Sequence, residues 1–402
     1  MSARFRRLVC AAVVAAQAVL AAVPASAAPE PAPPAGRSPA ATGAAGPAER
    51  SVAGLLKDLR RLYRDAERAT EAYNATEERL RRRRARTERL DRALDRARLR
   101  LHDSREEAGQ LARRQYQSST DISPYVRLLL ARDPRRALDQ EHVIGRVARG
   151  RAAAVDRLTG RERRADALAG RARRALDAQR VLAARHRKAR DDVRRRLGDV
   201  EELLSSLTAD RLAAVARLET AWTARAQRRM VTSGALGGAA TRPTASGRRA
   251  VRFALRQLGK PYRWGSEGPS AYDCSGLTSK AWARAGTPVP RTSQEQWARL
   301  RRVPLSALRP GDLVVYFPDA THVALYLGDG MVVHAPRPGA RITVSPLAVN
   351  PVLGAVRPDP GGEPLARYTP PELPEGATRG PGGGRGGGQA SYAPAATVSS
   401  AR

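Results

Sequence analysis

An apolar seam recurring in alternating steps of three and four residues constrains this chain more than any other feature. It runs Val52, Leu55, Leu59, Leu62, Ala66, Ala69, Tyr73, Thr76, Leu80, Arg83, Thr87, Leu90, Leu94, Ala97, Leu101, Ser104, Ala108 and Leu111, and fourteen of these eighteen positions are apolar. Between them stand Arg, Glu and Asp, as in Arg81–Arg84 and Glu106-Glu107. A heptad stripe sustained over so many turns can be buried only against another helix, so the segment is expected to be a coiled coil. The pattern breaks at Ser118-Ser119-Thr120-Asp121 and Pro124, and a short apolar piece spans Tyr125 to Ala131. That piece ends before Pro134, and a second helical region then runs to about Met230, with its clearest seam at Val193, Leu197, Val200, Leu204 and Leu207. Residues 51–230 therefore read as two long helices burying their seams on each other in an antiparallel hairpin. At 1.5 Å per residue the first helix alone would be about 100 Å long.

Composition agrees with a rod diluting one compact domain. The 402 residues are 42% hydrophobic but only 4% aromatic, too few aromatics for a single large core. Lys+Arg number 72 against 39 Asp+Glu, a formal net charge of +33. That charge invites a nucleic-acid reading, but the basic residues are interleaved with acids and no aromatics are placed to stack bases. No nucleic-acid partner is expected; the anionic polymers of a bacterial envelope are the more reasonable counter-charge. The only cysteines, Cys10 and Cys274, exclude a metal finger and a disulfide scaffold.

Arg4, Arg6 and Arg7, the apolar run Leu8–Val23, Pro24 and the small residues Ala25-Ser26-Ala27 have the layout of a secretory signal peptide cut after Ala27 or Ala28. The run falls short of the ~20 residues that span a bilayer. The expectation is an exported, cell-wall-associated protein whose residues 28–50, rich in Pro, Ala and Gly, are a disordered lead-in. Cleavage would leave Cys274 as the one thiol, which calls for a reason other than a disulfide.

Residues 231–246 read as a flexible linker. From 247 to 360 the pattern turns α+β: a helix over Ala250–Leu258, another beginning at Cys274, then strands at Asp312–Phe317, His322–Leu327, Met331–His334 and Arg341–Val344 between Gly/Asp turns. The Gly/Pro-rich residues 361–402 are expected to be disordered.

The chemistry concentrates in that domain. Cys274 lies in Tyr272-Asp273-Cys274-Ser275-Gly276-Leu277, directly before the amphipathic stretch Thr278–Ala285, so its thiol would sit at a helix N-terminus, where the macrodipole favours thiolate and free N–H groups can hold an oxyanion. Of five histidines, His102, His142 and His186 fall on the coiled coil. His322 opens one strand and His334 ends the next, with Gly328-Asp329-Gly330 turning between them. A base and its orienting partner on adjacent strands, facing a helix-borne thiol, make a Cys-His-His constellation.

These segments resemble the NlpC/p60 family of cell-wall peptidases. The likeness covers residues 247–346 and rests on Gly259-Lys260-Pro261-Tyr262-Arg263-Trp264-Gly265, Asp273-Cys274-Ser275-Gly276-Leu277, Pro290-Arg291-Thr292-Ser293, Pro310-Gly311-Asp312-Leu313 and the two histidine strands, in that order. Ser266 departs from the family, which often has a second glycine there. The resemblance implies a papain-like fold of helices packed on an antiparallel sheet. It implies Cys274 as nucleophile, His322 as general base, His334 as the residue orienting it and Tyr262 near the oxyanion. Asp273, Ser275, Arg291 and Ser293 become candidate substrate contacts, no metal or organic cofactor is required, and the substrate would be peptidoglycan, cut between D-glutamate and a diaminopimelate-type residue.

The N-terminal half resembles the coiled coils of secreted PcsB-type division hydrolases, most closely around Gln115-Tyr116-Gln117 and Pro124–Leu138. That likeness implies a coil that regulates or tethers the peptidase, engagement by an FtsEX-type membrane complex, and a role in wall remodelling or cell division. Two rival readings remain open: a CHAP-like amidase cutting the sugar–peptide linkage, and a coiled-coil wall scaffold without activity. The cysteine precedes both histidines, which disfavours a permuted acyltransferase.

Overall fold

The computed structural model describes residues 51–118, 126, 134–237, 241–374 and 377. The expected signal peptide and lead-in, most of the segment between the long helices, and the Gly-rich end of the chain lie outside these residues. The first helix, α1, spans Val52–Ser118. Its seam is turned inward as the heptad requires, with Leu55, Leu59, Ala66, Ala69, Leu80, Leu94, Ala97 and Leu101 buried. The second, α2, spans Pro134–Ser205 and runs antiparallel to it, since Glu77 pairs with His186, Arg105 with Glu162 and Glu107 with Arg157. Gly150, Gly160, Gly170 and Gly198 lie within α2 without ending it. Each lowers helix propensity by ~1 kcal/mol, which packing along the seam can absorb.

The second helical region is not one helix, as the pattern had suggested. The Ser205 and Ser206 hydroxyls bond back to the carbonyls of Glu202 and Leu203, drawing the end of α2 into a turn. Thr208 then caps a new helix, α3, at Ala209–Thr232. The corner so formed carries Leu207 and Val215 onto Leu55, Leu56, Leu59 and Tyr63 of α1.

The C-terminal domain has the expected α+β architecture. Helices α4 (Ala245–Leu255), α5 (Cys274–Arg284) and α6 (Ser293–Arg299) precede six strands: β1 (Arg301–Val303), β2 (Leu313–Tyr316), β3 (His322–Gly328), β4 (Met331–His334), β5 (Thr343–Pro346) and β6 (Val352–Arg357). They form one sheet in the order β1-β6-β2-β3-β4-β5, with every adjacent pair antiparallel. Alternation along the strands supplies two apolar layers. Leu313, Val315, Val323 and Leu325 meet Ala250, Val251, Leu277, Ala281 and Trp282 of the helices. Val314, Tyr316, Ala324, Tyr326, Val332 and Ala355 form the other layer, against which Met230 and Leu236 pack.

Two boundaries move. The expected linker at 231–246 is partly built into the domain: Leu236 joins the second apolar layer, the Thr241 hydroxyl bonds the Leu308 carbonyl, and Thr244 caps α4 by accepting from the Gly247 N–H at 2.8 Å. The expected disordered tail also straps back at its start. The Leu365 N–H donates to the Pro243 carbonyl at 2.9 Å, and the Ala377 carbonyl accepts from the Val344 N–H at 2.9 Å. Apolar packing, threonine hydroxyls and backbone hydrogen bonds, none of them visible in composition, hold these segments.

Candidate active site

Asp273 sets the position of the thiol. Its side chain accepts from the Gly276 N–H at 2.6 Å and caps α5, which places Cys274 at the first helical position. Only glycine suits position 276, because a Cβ there would collide with the Ser266 carbonyl oxygen. The backbone of Val323, the residue after His322, slightly favours the Cys274 thiolate, and Cys274 and Val323 share one buried cluster. His322 is the first residue of β3 and His334 the last of β4, and the hairpin brings His322 Nε2 to 2.9 Å from His334 Nδ1. The other nitrogen of His334 lies 3.1 Å from Ser345 Oγ on β5. Tyr262 is buried beside the thiol; burial first, and the charge of a Cys274 thiolate next, push its phenol well up.

The four candidate contact residues surround the nucleophile as one network. Arg291 clamps Asp273 with two bonds of 3.0 and 2.7 Å and also reaches Ser275 Oγ at 2.9 Å and Glu267 at 3.1 Å. Asp273 additionally accepts from the Gly265 N–H at 2.9 Å, tying the Trp264-Gly265 turn to α5. Ser293 opens α6 and is fully buried. In this arrangement Asp273 and Arg291 spend their hydrogen-bonding capacity on the protein itself.

The cleft over these residues is filled by α1. Glu67, Thr70, Glu71 and Asn74 are buried although they are polar and stand outside the heptad seam. Glu71 accepts from the Ser293 N–H at 2.9 Å and from Ser275 Oγ at 2.6 Å, and the Cys274 thiol donates to it at 3.9 Å. Glu67 Oε1 lies 3.1 Å from His322 Nδ1, within ion-pair range though not aligned as a hydrogen bond. Asn74 donates to Asp273 at 3.1 Å, and Tyr73 stands edge-on to Trp264 with ring centres 4.9 Å apart. Gly265 makes room for that ring: its φ is +74°, and a Cβ would come within 2.9 Å of Tyr73.

This packing reverses one expectation from sequence. Burial, then the charges of Glu71, Asp273 and Glu67, push the Cys274 thiol well above its ordinary value. A helix N-terminus favours thiolate by only ~0.3–1 kcal/mol, so three carboxylates in a dry site outweigh it. Burial and Asp273 also push Glu71 up to about 7. Burial, then His322 and Arg337, hold His334 well below the usual imidazole range, so it is neutral.

Of the residues expected from sequence, Cys274 and Tyr262 lie in one buried cluster and His322 and His334 are hydrogen-bonded to each other. Sequence reasoning missed Glu67, Glu71, Asn74 and Ser345. A signal for the first three did exist: Leu56 and Tyr63 lie off the heptad seam yet are apolar and buried, the start of a second stripe that continues through 67, 70, 71 and 74. Ser345 had no signal short of the register of β5.

Residues 259–353 match the sequence model of the NlpC/P60 family. They form an NlpC/P60 domain. A Corynebacterium glutamicum protein named "Probable endopeptidase" is 44% identical over 116 residues, 29% of this chain and 55% of that protein. Peptidoglycan endopeptidase RipB of Mycobacterium tuberculosis is 38% identical over 133 residues, 29% of this chain and 55% of that protein. The chain thus spans about half the length of these curated relatives, and both matches cover a share of it similar to the NlpC/P60 domain. Among solved structures, the NlpC/p60 domain of peptidoglycan hydrolase SagA aligns at 31% identity over 28% of this chain and 97% of that one, with a TM-score of 0.27.

Proposed function

We propose that this chain is an exported peptidoglycan hydrolase whose NlpC/P60 domain cuts stem peptides at the D-glutamyl–diaminopimelate-type bond, and whose own coiled coil holds it inactive. The observation that carries the reading is the pairing of a helix-borne thiol and two hydrogen-bonded imidazoles with a helix from the same chain seated on them. In the reaction the Cys274 thiol gives its proton to His322 and the resulting thiolate attacks the carbonyl carbon. His322 returns that proton to the leaving amine as the C–N bond breaks. Water, deprotonated by His322, then attacks the thioester; the acid product leaves and the thiol is restored. Ser275 Oγ and the Ser293 N–H, which bond Glu71 while α1 is seated, would be freed to hold the acyl group, with Tyr262 assigned to the oxyanion.

Two effects of α1 support inhibition. Glu71 and Glu67 occupy the approaches to the thiol and to His322 Nδ1, and the same carboxylates raise the thiol's affinity for its proton. Removing the helix would open the cleft and withdraw two of the three anionic groups that disfavour thiolate. Anionic wall polymers and an FtsEX-type complex are the partners we assign to the arginine-rich coil, in wall remodelling during division.

The test is muropeptide analysis of purified wall incubated with the full chain, with Glu71→Arg, and with Cys274→Ala. Glu71→Arg puts a cation against Arg291 and should raise hydrolysis at least tenfold, giving products that end in D-glutamate; Cys274→Ala should give none. Newly freed L-alanine amino termini would instead indicate the amidase. No cleavage by any form, with the fold intact, would leave the domain a wall-binding scaffold.

A further inference from the structure

The His322–His334 pair is a chain of hydrogen bonds, and its proton order depends on what lies at its far end. His322 Nε2 faces His334 Nδ1 at 2.9 Å, and His334 Nε2 faces Ser345 Oγ at 3.1 Å. His322 and His334 are fully buried and Ser345 nearly so, at 7% exposure. Each neutral imidazole has one donor and one acceptor nitrogen, so the chain can be threaded in only two directions. In one, the Ser345 hydroxyl donates to His334, His334 donates from Nδ1 to His322 Nε2, and the proton of His322 stands on Nδ1. His322 then has no lone pair on Nδ1, the nitrogen not engaged by His334, which lies 3.1 Å from Glu67 Oε1 of α1. In the other, His334 donates from Nε2 to Ser345, accepts at Nδ1 from His322 Nε2–H, and leaves the lone pair of His322 on Nδ1.

We propose that Ser345 is a positioning residue for the thiol chemistry: by accepting from His334 Nε2–H it fixes the tautomer that keeps His322 Nδ1 free to take a proton. This inference rests on the proposed function for its consequence, but not for its geometry. Ser345 is held where it can act. It stands two residues beyond Thr343, the cross-strand partner of His334, so its side chain shares that face of the sheet. When His322 takes up a proton both its nitrogens carry hydrogen, and Nε2–H can then donate only if His334 Nδ1 is bare. The same threading therefore serves the base before and after the proton moves. The neutrality of His334 agrees with this, since a protonated His334 would have no acceptor to offer.

The experiment reads the tautomer directly, by nitrogen NMR of the full chain labelled at histidine, with signals assigned by single substitutions. With Glu67→Ala, which removes the carboxylate 3.1 Å from His322 Nδ1 that would itself hold a hydrogen there, the chain should show His334 protonated on Nε2. Ser345→Thr should preserve that state, and Ser345→Ala should shift His334 toward Nδ1 protonation or a mixture. In the Glu71→Arg background, Ser345→Ala should lower kcat about tenfold, the scale of one lost buried hydrogen bond. KM should not change, the pH profile should shift, and Ser345→Thr should restore most of the rate. His334 protonated on Nδ1 in the Glu67→Ala chain, or a signal there indifferent to Ser345→Ala, would overturn the proposal. A correct tautomer response in a chain that cleaves no wall would refute the function and leave the positioning role standing.

Discussion

Asp273 shows how a residue assigned to substrate by resemblance can be committed elsewhere. It is fully buried, caps α5, and meets both terminal guanidinium nitrogens of Arg291. Removing one partner of such a pair leaves a buried charge uncompensated, so Asp273→Ala should destabilise the domain by about 3–5 kcal/mol. Thermal unfolding checks this, and a stability change under 1 kcal/mol would return Asp273 to the substrate-contact class. Cys274 gives a second prediction at this scale. Because burial and three carboxylates favour its protonated form, iodoacetamide should modify it slowly in the native chain and at least tenfold faster in Glu67→Ala/Glu71→Ala. Peptide mass spectrometry at Cys274 reads the rate; equal rates would mean that α1 does not control the thiol.

At the scale of elements, α1 serves two neighbours from two faces. Its heptad seam meets α2, and a second stripe through Leu56, Tyr63, Glu67, Glu71 and Asn74 contacts α3 or the cleft. The seam was legible because apolar spacing reports burial. The second stripe was not, because Glu and Asn in a coiled coil ordinarily face water, and only the tertiary partner makes them buried. The same holds for β1 and β6. Arg301–Val303 is too short and too charged to announce a strand, and it forms by pairing with Arg357, Val356 and Ala355. The Cys274 helix and the histidine hairpin were legible because capping, turn and strand signals agree there.

The cleft-facing stripe also carries a pH dependence. Glu71 faces Asp273 and Cys274 of α5, Arg291, Ser275 and Ser293, with Glu67 and His322 close by. Seated, its carboxyl is pushed up to about 7, whereas exposed it would titrate near the ordinary ~4.3. The closed form thus binds a proton more tightly, and its stability is fully present below about pH 4.3 and lost as pH rises toward 7. Opening should therefore increase with pH across that window and level off above it. Glu71→Gln mimics the protonated state and should lack this trend. The ratio of native to Glu71→Gln hydrolysis should rise at least tenfold between pH 5 and 7, and a flat ratio would exclude Glu71 as the titrating group.

Across the whole molecule the closed state is held at sites well separated along the chain. Arg68 reaches Asp319 at 2.8 Å beside the cleft. On α3, Glu219 takes a two-bond clamp from Arg337 at 2.9 and 3.0 Å, and Gln227 bonds both the Gly330 carbonyl and the Ala348 N–H at 3.0 Å. If these anchors act together, weakening one shifts the opening equilibrium without touching the cleft. Glu219→Ala should then raise wall hydrolysis by the full chain about tenfold, the effect of one partly buried charge-assisted contact, while leaving Cys274 and its neighbours intact. Unchanged hydrolysis would confine control to α1.

The two-faced use of α1 restricts how it can depart. Rolling the helix about its axis until Glu67 and Glu71 clear the thiol would turn Leu55, Leu59 and Ala66 out of their seam and into water. Such a roll trades one lock for the loss of the hairpin's own cohesion. On the proposed inhibition, release would be a displacement of the hairpin as one body, so a pull applied along α1 or α2 would be transmitted to Cys274.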